Sequence, residues 1–244
     1  INIDIDEVSL DKIDSINNLT GYLSFNNKKI SDTYISAKFS ENKELKLKIK
    51  KEGNKKVTTL LVDKAEPIIK RYNFIKGFEE GKLDFQSIEN NEISESKLKI
   101  YDFRLKEMPA LTKILTLASL QGIADVLSGE GIRFDEFEMI FQNKGNLITI
   151  KEIYAIGPSI SIMMEGYIEK DRLVSLKGTL VPATTINKFI GSLPVLGEIL
   201  VGKKIGEGVF GVSFRIKGPP KKLETSVNPI KTLTPRFITR TLEK

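Results

Sequence analysis

The sequence lacks the residues that most enzymes use for catalysis. Among its 244 residues there is no cysteine, no histidine and no tryptophan. Without histidine the chain cannot form a Ser-His-Asp triad, an imidazole general base or an HExxH zinc site. Without cysteine it has no thiolate nucleophile, no cysteine zinc site and no disulfide. A catalytic site would have to use carboxylates, lysine, tyrosine, serine or a hard metal ion bound by carboxylates.

Long apolar runs are also absent. No stretch approaches the roughly 18–20 uninterrupted apolar residues of a membrane-spanning helix. The chain starts at Ile1 without a positively charged segment followed by an apolar one, so no signal peptide is recognised. We therefore expect a segment of a longer protein. Hydrophobic residues still make up 40% of the chain, which is enough for a substantial core.

Charge is unevenly distributed along the chain, whose formal net charge is +6. From Lys203 to Lys244 there are ten Lys or Arg and three acidic residues, a net charge of +7, which leaves −1 for the preceding 202 residues. Such a basic end fits either a solvated structural tail or attraction to an anionic membrane surface or acidic partner. Nucleic acid is not expected as a partner, because the basic residues are not interleaved with aromatic stacking residues.

Short segments in which apolar and polar residues alternate occur along most of the chain. This period of two is typical of β-strands with one buried face. The apolar positions include Ile1, Ile3 and Ile5; Leu45, Leu47 and Ile49; Tyr101, Phe103 and Leu105; and Phe137, Met139 and Phe141. Turn-forming pairs such as Gly53 with Asn54 and Asn90 with Asn91 separate many of these segments. The pattern predicts a mainly β protein with an antiparallel meander.

A few helical segments interrupt the predicted meander. The clearest is a helix over 109–127, where apolar residues recur at helical spacing, Pro109 suits the start and Gly129 the end. Gly122 weakens the middle of this helix. Shorter helices are predicted within 63–72 and over 184–201, and a basic C-terminal helix over 229–240. Strands occupy 132–180 and 208–228 in this interpretation.

Two glycine-rich segments are similar to nucleotide-binding motifs but lack the required context. Residues 206–211 match GxGxxG, yet Val212, Phe214 and Ile216 continue as an alternating strand where the motif requires a helix. Residues 197–204 approach the P-loop pattern, but Lys204 stands where a serine or threonine must reach magnesium. We therefore expect no nucleotide and no other cofactor.

The densest acidic cluster in the middle of the chain contains Glu130, Asp135, Glu136 and Glu138. In a strand, Glu136 and Glu138 share the face opposite Phe137 and Met139, which is typical of a solvated sheet surface. A metal-binding or catalytic pair is the alternative, and a carboxylate-dependent hydrolase would need such a pair to face a pocket. We expect no catalytic residue and no metal site.

The C-terminal half contains short motifs whose order and spacing resemble the AsmA-like family of the Gram-negative envelope. They are residues 178–182 (GTLVP) with Ile186 and Asn187, then 193–197 (LPVLG), 208–212 (GVFGV), 227–230 (VNPI), 233–235 (LTP) and 237–240 (FITR). The resemblance covers about 111–240 and is closest to YhdP-type members, with TamB among the relatives. It divides the chain into β-meander repeats over 1–105 and an AsmA-like C-terminal module over 106–244.

This resemblance implies a long twisted antiparallel sheet that curls into an open apolar groove capped by helices. It also implies a periplasmic protein, anchored in the inner membrane by a segment outside this sequence. Members of the family are thought to move phospholipids between the inner and outer membranes without covalent chemistry and to support outer-membrane integrity. The family's glycines and prolines, Gly178 and Pro229 among them, are expected to form backbone turns.

We expect a lipid-conduit module with two sets of functional residues. The predicted lipid-groove residues are Phe137, Met139, Phe141, Ile148, Ile150, Ile160, Ile162, Met164, Val174, Leu176, Phe210, Val212 and Phe214. The residues predicted to face a membrane or partner are Leu193, Val195, Leu196, Ile199, Lys203, Lys204, Lys221, Lys222, Arg236 and Arg240. The expected partners are a phospholipid or other acyl-chain ligand, an inner- or outer-membrane surface and, as a further candidate, an envelope protein.

Two alternatives stay open from the sequence. The apolar face of the meander can be covered by protein in the ordinary way instead of holding a ligand. The protein can also be a structural module that assists outer-membrane protein assembly by pairing β-strands along an open sheet edge.

Overall fold

Thirteen strands form one antiparallel sheet in the computed structural model, which describes residues 1–26, 29–71, 77–106, 108–183 and 211–230. Each strand pairs with the strands next to it in sequence. The strands are β1 (Asn2–Ser9), β2 (Ser15–Asn26), β3 (Lys29–Phe39), β4 (Glu44–Glu52), β5 (Lys55–Val62), β6 (Phe78–Asn90), β7 (Ile93–Leu105), β8 (Ile132–Lys144), β9 (Leu147–Ile156), β10 (Ile160–Glu169), β11 (Leu173–Pro182), β12 (Gly211–Gly218) and β13 (Glu224–Ile230). The helices are α1 (Glu66–Ile69), α2 (Pro109–Leu117) and α3 (Gln121–Ser128), with a 3₁₀ turn at Ser40–Asn42.

The predicted fold class is confirmed. The protein is mainly β, and its strands form an antiparallel meander with a few helices. Within the described ranges β1 and β13 do not pair with each other, so the sheet is open. It curls toward the helices, and α2 contacts β13 although α2 follows β7 in the chain.

The strand ends define two sides of the sheet. Odd-numbered strands end at the side where α1 follows β5 and where α2 and α3 follow β7, and we call this the helix side. At the opposite side, short turns connect strands such as β4 with β5 and β8 with β9, and we call this the hairpin side.

The cross-strand register defines two faces. Leu83 of β6, Ile100 of β7 and Phe137 of β8 lie directly opposite one another. They pack in one hydrophobic cluster with Leu115 of α2 and Leu127 of α3. We call this helix-covered face the inner face, and the opposite one the outer face. The main hydrophobic cluster lies between the helices and the helix side of the inner face. On the outer face, Tyr154 and Val181 are buried as well.

The segment predicted as one helix over 109–127 forms two helices in the structure. α2 ends at Leu117 and α3 begins at Gln121. The break occurs because Ser119 has a φ of 58°, outside the right-handed helical region. Gly122, which was expected to weaken the middle of the predicted helix, is the second residue of α3 and does not lie at the break. The short helix predicted within 63–72 corresponds to α1.

Several predicted elements lie partly or wholly outside the described residues. These are the short helices over 184–201, the start of the strands at 208–210, and 231–240 of the predicted C-terminal helix. Pro229 and Ile230 belong to β13 and not to a helix, because they continue its pairing with Val212 and Gly211. A proline is tolerated there because, among the described residues, β13 pairs on one side only.

The proposed boundary between 1–105 and 106–244 is crossed by continuous pairing. β7 pairs with β8 from Ile93 to Leu105. One sheet therefore contains strands from both predicted segments, and the division into two segments stays a prediction.

The alternation of side chains changes phase in β7. Asp102 has a positive φ of 51°, and Glu80 in the neighbouring strand has one of 65°. Tyr101 therefore lies on the outer face, with Lys99 Nζ 5.9 Å from its ring centroid. Phe103 lies on the inner face, where its ring centroid is 5.3 Å from those of both Phe78 and Phe134. The expectation that Tyr101 shares a face with Phe103 and Leu105 is wrong.

Two glycines inside strands permit close packing. Gly166 of β10 has a φ of 148°, and a Cβ at this position would lie 2.1 Å from the Ser175 carbonyl oxygen of β11. Gly178 lies in the middle of β11, where a Cβ would come within 2.6 Å of side-chain atoms of Met164 and Phe214. The expectation that Gly178 forms a turn is wrong, because its missing side chain serves packing within the sheet.

Among the helices of the described residues, none combines the length and the apolar character that a membrane crossing requires.

Candidate functional site

The predicted lipid-groove residues share one face of the sheet. Phe137, Met139 and Phe141 of β8 lie opposite inner-face residues of β9, and that pairing continues through β10, β11 and β12. All twelve described candidates are therefore inner-face residues: Phe137, Met139, Phe141, Ile148, Ile150, Ile160, Ile162, Met164, Val174, Leu176, Val212 and Phe214. Phe210 lies outside the described residues.

One cross-strand row on this face runs through the whole sheet, and we call it the apolar strip. Its members lie directly opposite one another from β1 to β13, and eleven are apolar side chains while two are glycines. They are Ile3, Gly21, Ile35, Leu47, Leu60, Phe85, Leu98, Met139, Ile153, Met164, Gly178, Phe214 and Val227. At about 4.8 Å per strand the strip is about 58 Å long, measured along the sheet.

The apolar strip is less covered than the row next to it on the helix side. In that neighbouring row Val62, Leu83 and Ile100 are buried, as are Leu180 and Val212. In the apolar strip only Ile153 and Phe214 are buried, and the other members are partly exposed. The strip therefore forms an apolar surface beside the helix-covered core.

The helix side of the inner face is closed by aromatic and aliphatic packing. Phe103 stacks on Phe78 and Phe134, and Phe137 meets Phe103 edge to face with ring centroids 6.5 Å apart. Leu115 of α2 has no exposed surface. Phe137 therefore lies at the boundary between the packed core and the apolar strip.

The sequence-based prediction did not include the strip members in β1 to β7, nor Ile153, Gly178 and Val227 in the C-terminal half. The row of Met139 continues through Ile35, Leu47, Leu60, Phe85 and Leu98. The motifs that resemble the AsmA-like family lie in the C-terminal half and do not include these residues. The alternation of apolar and polar residues in the N-terminal strands could have identified them, if the apolar residues of neighbouring strands were assumed to lie opposite one another.

Of the residues predicted to face a membrane or partner, the structure describes Lys221 and Lys222. Both are exposed in the turn between β12 and β13, at the hairpin side. Leu193, Val195, Leu196, Ile199, Lys203, Lys204, Arg236 and Arg240 lie outside the described residues.

The predicted acidic pair lies on the outer face, but it is not solvated. Glu136 and Glu138 point away from the strip as expected, yet Glu138 is only 4% exposed. Its carboxylate oxygen Oε2 lies 3.2 Å from Nζ of both Lys97 and Lys99. Partial burial lowers the pKa of Lys99, but the hydrogen bond to Glu138 and the charge of that carboxylate outweigh it, so the pKa is raised.

This ion cluster gives a structural role for the acidic residues. Lys99 Nζ also lies 3.6 Å from Glu136 Oε1, so two lysines neutralise two carboxylates across β7 and β8. In the described part of the chain there is no group of three or more acidic residues placed to hold a metal ion. The carboxylates are thus held by lysine ammonium groups.

Chemically, the apolar strip offers dispersion contacts and desolvation. Its side chains carry no titratable group, and burial of hydrocarbon against it gains about 0.8 kcal/mol per CH₂. In the adjacent inner-face row on the hairpin side, the Ser96 hydroxyl donates a hydrogen bond to the Ser87 hydroxyl at 2.8 Å. The arrangement is suited to apolar ligands of variable length.

Comparisons with models of known protein families, with curated proteins and with solved structures find no match for the chain. The resemblance to the AsmA-like family therefore stays a prediction that depends on the quoted motifs.

Proposed function

We propose that the protein is a non-enzymatic lipid-conduit module that holds acyl chains along its inner face. The observation that supports this most directly is the unbroken apolar strip, which crosses all thirteen strands and is only partly covered. A polar or charged member would interrupt acyl-chain contact at its strand, and none is found. Headgroups stay in solvent in this proposal, because the strip supplies no charge to pair with them.

The proposal includes the cellular role that the resemblance implies. We propose that the protein acts in the periplasm, as part of a longer inner-membrane protein, and supports phospholipid transport between the two membranes and outer-membrane integrity. The AsmA-like motifs are the basis for this proposed cellular role, and the open apolar sheet is compatible with it.

Site-specific photo-crosslinking tests the lipid contact. A photoreactive residue replaces Met139 or Leu176 on the inner face, and matched probes replace their chain neighbours Ile140 and Ser175 on the outer face. Purified protein is illuminated with phosphatidylglycerol and phosphatidylethanolamine vesicles, and adducts are identified by mass spectrometry. We expect lipid adducts at the inner positions and few at the outer ones. Equal labelling on both faces, or none at all, contradicts the proposal.

A second candidate function is assembly of outer-membrane proteins through strand pairing. It is favoured by the fact that, among the described residues, β1 and β13 each pair on one side only. Against it, β1 carries Asp4, Asp6 and Glu7 and β13 carries Pro229, and charge and proline at edges oppose further pairing. Native mass spectrometry separates the two: bound phospholipid supports the conduit, and capture of an unfolded outer-membrane strand peptide supports assembly.

A further inference from the structure

The outer face of β9 to β13 carries a depression, lined by both polar and apolar residues, that the lipid-conduit proposal does not use. Its volume is about 590 Å³. Two cross-strand rows of outer-face side chains border it: Met163, Thr179, Ser213 and Asn228 in one, and Glu165, Lys177, Arg215 and Ser226 in the other. The row between them is Met164, Gly178, Phe214 and Val227, whose side chains point to the inner face, so its backbone forms the floor. Lys151 and Glu152 complete the lining.

The lining of the depression carries three cations, Lys151, Lys177 and Arg215, and two carboxylates, Glu152 and Glu165. Lys177 and Arg215 lie directly opposite each other on β11 and β12, and like charges in this arrangement repel. Lys177 Nζ is 2.9 Å from Glu165 Oε1, and Lys151 Nζ is 3.0 Å from Glu95 Oε1. Within the part of the chain that the structure describes, Arg215 has no carboxylate within 4.0 Å. Of the three cations in the lining, Arg215 is therefore the one that forms no ion pair with another described residue.

Neutral hydrogen-bond donors surround this cation. Ser226 lies directly opposite Arg215 on β13, and Thr179 lies diagonally from it on β11. Their hydroxyl groups make no hydrogen bond within the described residues, whereas the Ser213 hydroxyl donates to the Asn228 carbonyl oxygen at 3.0 Å. Opposite side chains in a sheet have Cβ atoms about 4.5–5.5 Å apart, so donors from three strands can reach one tetrahedral anion.

We propose that this depression binds the phosphoryl group of a small phosphate ester. Arg215 supplies a bidentate pair of N–H donors, and Lys177, Thr179 and Ser226 supply further donors around the oxygens. The depression has the size usual for small-ligand sites, roughly 300–1,000 Å³. The proposal does not rest on the lipid conduit, because the depression lies on the opposite face of the sheet. The same chemistry fits a soluble phosphate ester and a phospholipid headgroup.

Binding measurements with Arg215 variants test the proposal. The probes are glycerol 3-phosphate, measured by calorimetry, and phosphatidylglycerol vesicles, measured by co-sedimentation. Arg215→Gln removes the guanidinium and Arg215→Lys keeps the charge without the bidentate geometry. The matched control is Lys217→Gln, because Lys217 lies two residues along on the same face of β12 and outside the depression. We expect Arg215→Gln to weaken binding at least tenfold, Arg215→Lys to weaken it severalfold, and Lys217→Gln to change it less than twofold.

The outcomes separate the two sources of phosphate. Binding of glycerol 3-phosphate that depends on Arg215 supports a soluble ester, and dependence seen only with vesicles supports a headgroup. Absence of binding to both probes overturns the proposal, as does an equal loss in Arg215→Gln and Lys217→Gln or a wild-type affinity in Arg215→Lys. Thr179→Val gives an independent measurement at unchanged charge, and we expect it to weaken binding about twofold to tenfold. Failure of the inner-face crosslinking would leave these results unaffected.

Discussion

At the scale of single residues, Gly166 shows how a missing side chain determines strand packing. It combines a φ of 148°, which other residues rarely adopt, with a backbone oxygen of β11 2.1 Å from the position of a Cβ. A side chain at this position requires one of the two paired strands to move, which disrupts hydrogen bonds between β10 and β11 and costs free energy. We expect Gly166→Ala to lower the free energy of unfolding by about 2–4 kcal/mol, measured by urea denaturation.

The matched control for this substitution is Gly122→Ala. Gly122 lies inside α3, and a Cβ there would have no neighbour within 4 Å. Alanine is the better helix former, so we expect this variant to be more stable than the wild type by about 0.5–1 kcal/mol. If both variants lost stability equally, the close approach at Gly166 would not be the cause.

The ion cluster at Glu138 gives a second prediction at this scale. Lys99→Met removes one of the two ammonium groups that contact the buried carboxylate, while Lys97 remains. We expect Lys99→Met to lower the free energy of unfolding by about 1.5 kcal/mol at pH 7, measured by urea denaturation. Lys56→Met is the control, because Lys56 and Glu89 form a more exposed cross-strand pair worth less than about 1 kcal/mol.

The pH dependence of this difference follows from the direction of the pKa shift. The pKa of Lys99 is raised in the folded protein above its ordinary value of 10.5. Its contribution to stability is therefore fully present below pH 10.5 and is lost as the pH rises through the folded-state pKa. Urea denaturation between pH 7 and 12 should show wild type and Lys99→Met converging above pH 10.5. A constant difference across this range would exclude charge as its source.

At the scale of elements, the alternating pattern predicted the strands better than the helical pattern predicted the helices. Period-two alternation depends on local burial alone, and β8, β10 and β11 follow it, whereas β9 interrupts it with a bulge at Lys151. The break at Ser119 and the phase change at Asp102 depend on positive φ values, and neither position carries the glycine that would indicate one. Glu138 was predicted to be solvated because a charged residue on a strand usually is, but its carboxylate is buried and forms ion pairs with two lysines of the neighbouring strand.

The helices contribute stability through their inner-face contacts, and α2 offers a matched pair to measure this. Leu115 is fully buried, while Leu117 in the same helix is 49% exposed. We expect Leu115→Ala to cost about 2–5 kcal/mol, because it removes buried methyl groups and leaves a cavity. Leu117→Ala should cost less than about 1 kcal/mol. Comparable losses in urea denaturation would show that α2 is not anchored through Leu115.

At the scale of the whole molecule, the apolar strip is a property of the register and not of any one strand. Each strand contributes one member, so its continuity requires twelve successive pairings to stay in phase. From β8 onward the sequence predicted three of the six members, Met139, Met164 and Phe214, but it could not predict continuity, because a shift by one residue in any pairing reverses the face. The bulges between Asn17 and Thr20 in β2 and at Ile140 against β9 show that the phase is adjusted locally.

An open apolar strip predicts that an acyl-chain ligand stabilises the fold. A ligand that binds only the folded state at about 100 times its Kd adds about 2.7 kcal/mol, which for a chain of this size raises the Tm by about 5–10 °C. We expect lysophosphatidylglycerol below its micellar concentration to produce such a shift. The double variant Met139→Glu with Leu176→Glu should lose the shift, because carboxylates on the inner face oppose burial of an acyl chain. Ile140→Glu with Ser175→Glu, at the adjacent outer positions, should retain it. An equal shift in both double variants would place the ligand elsewhere on the molecule.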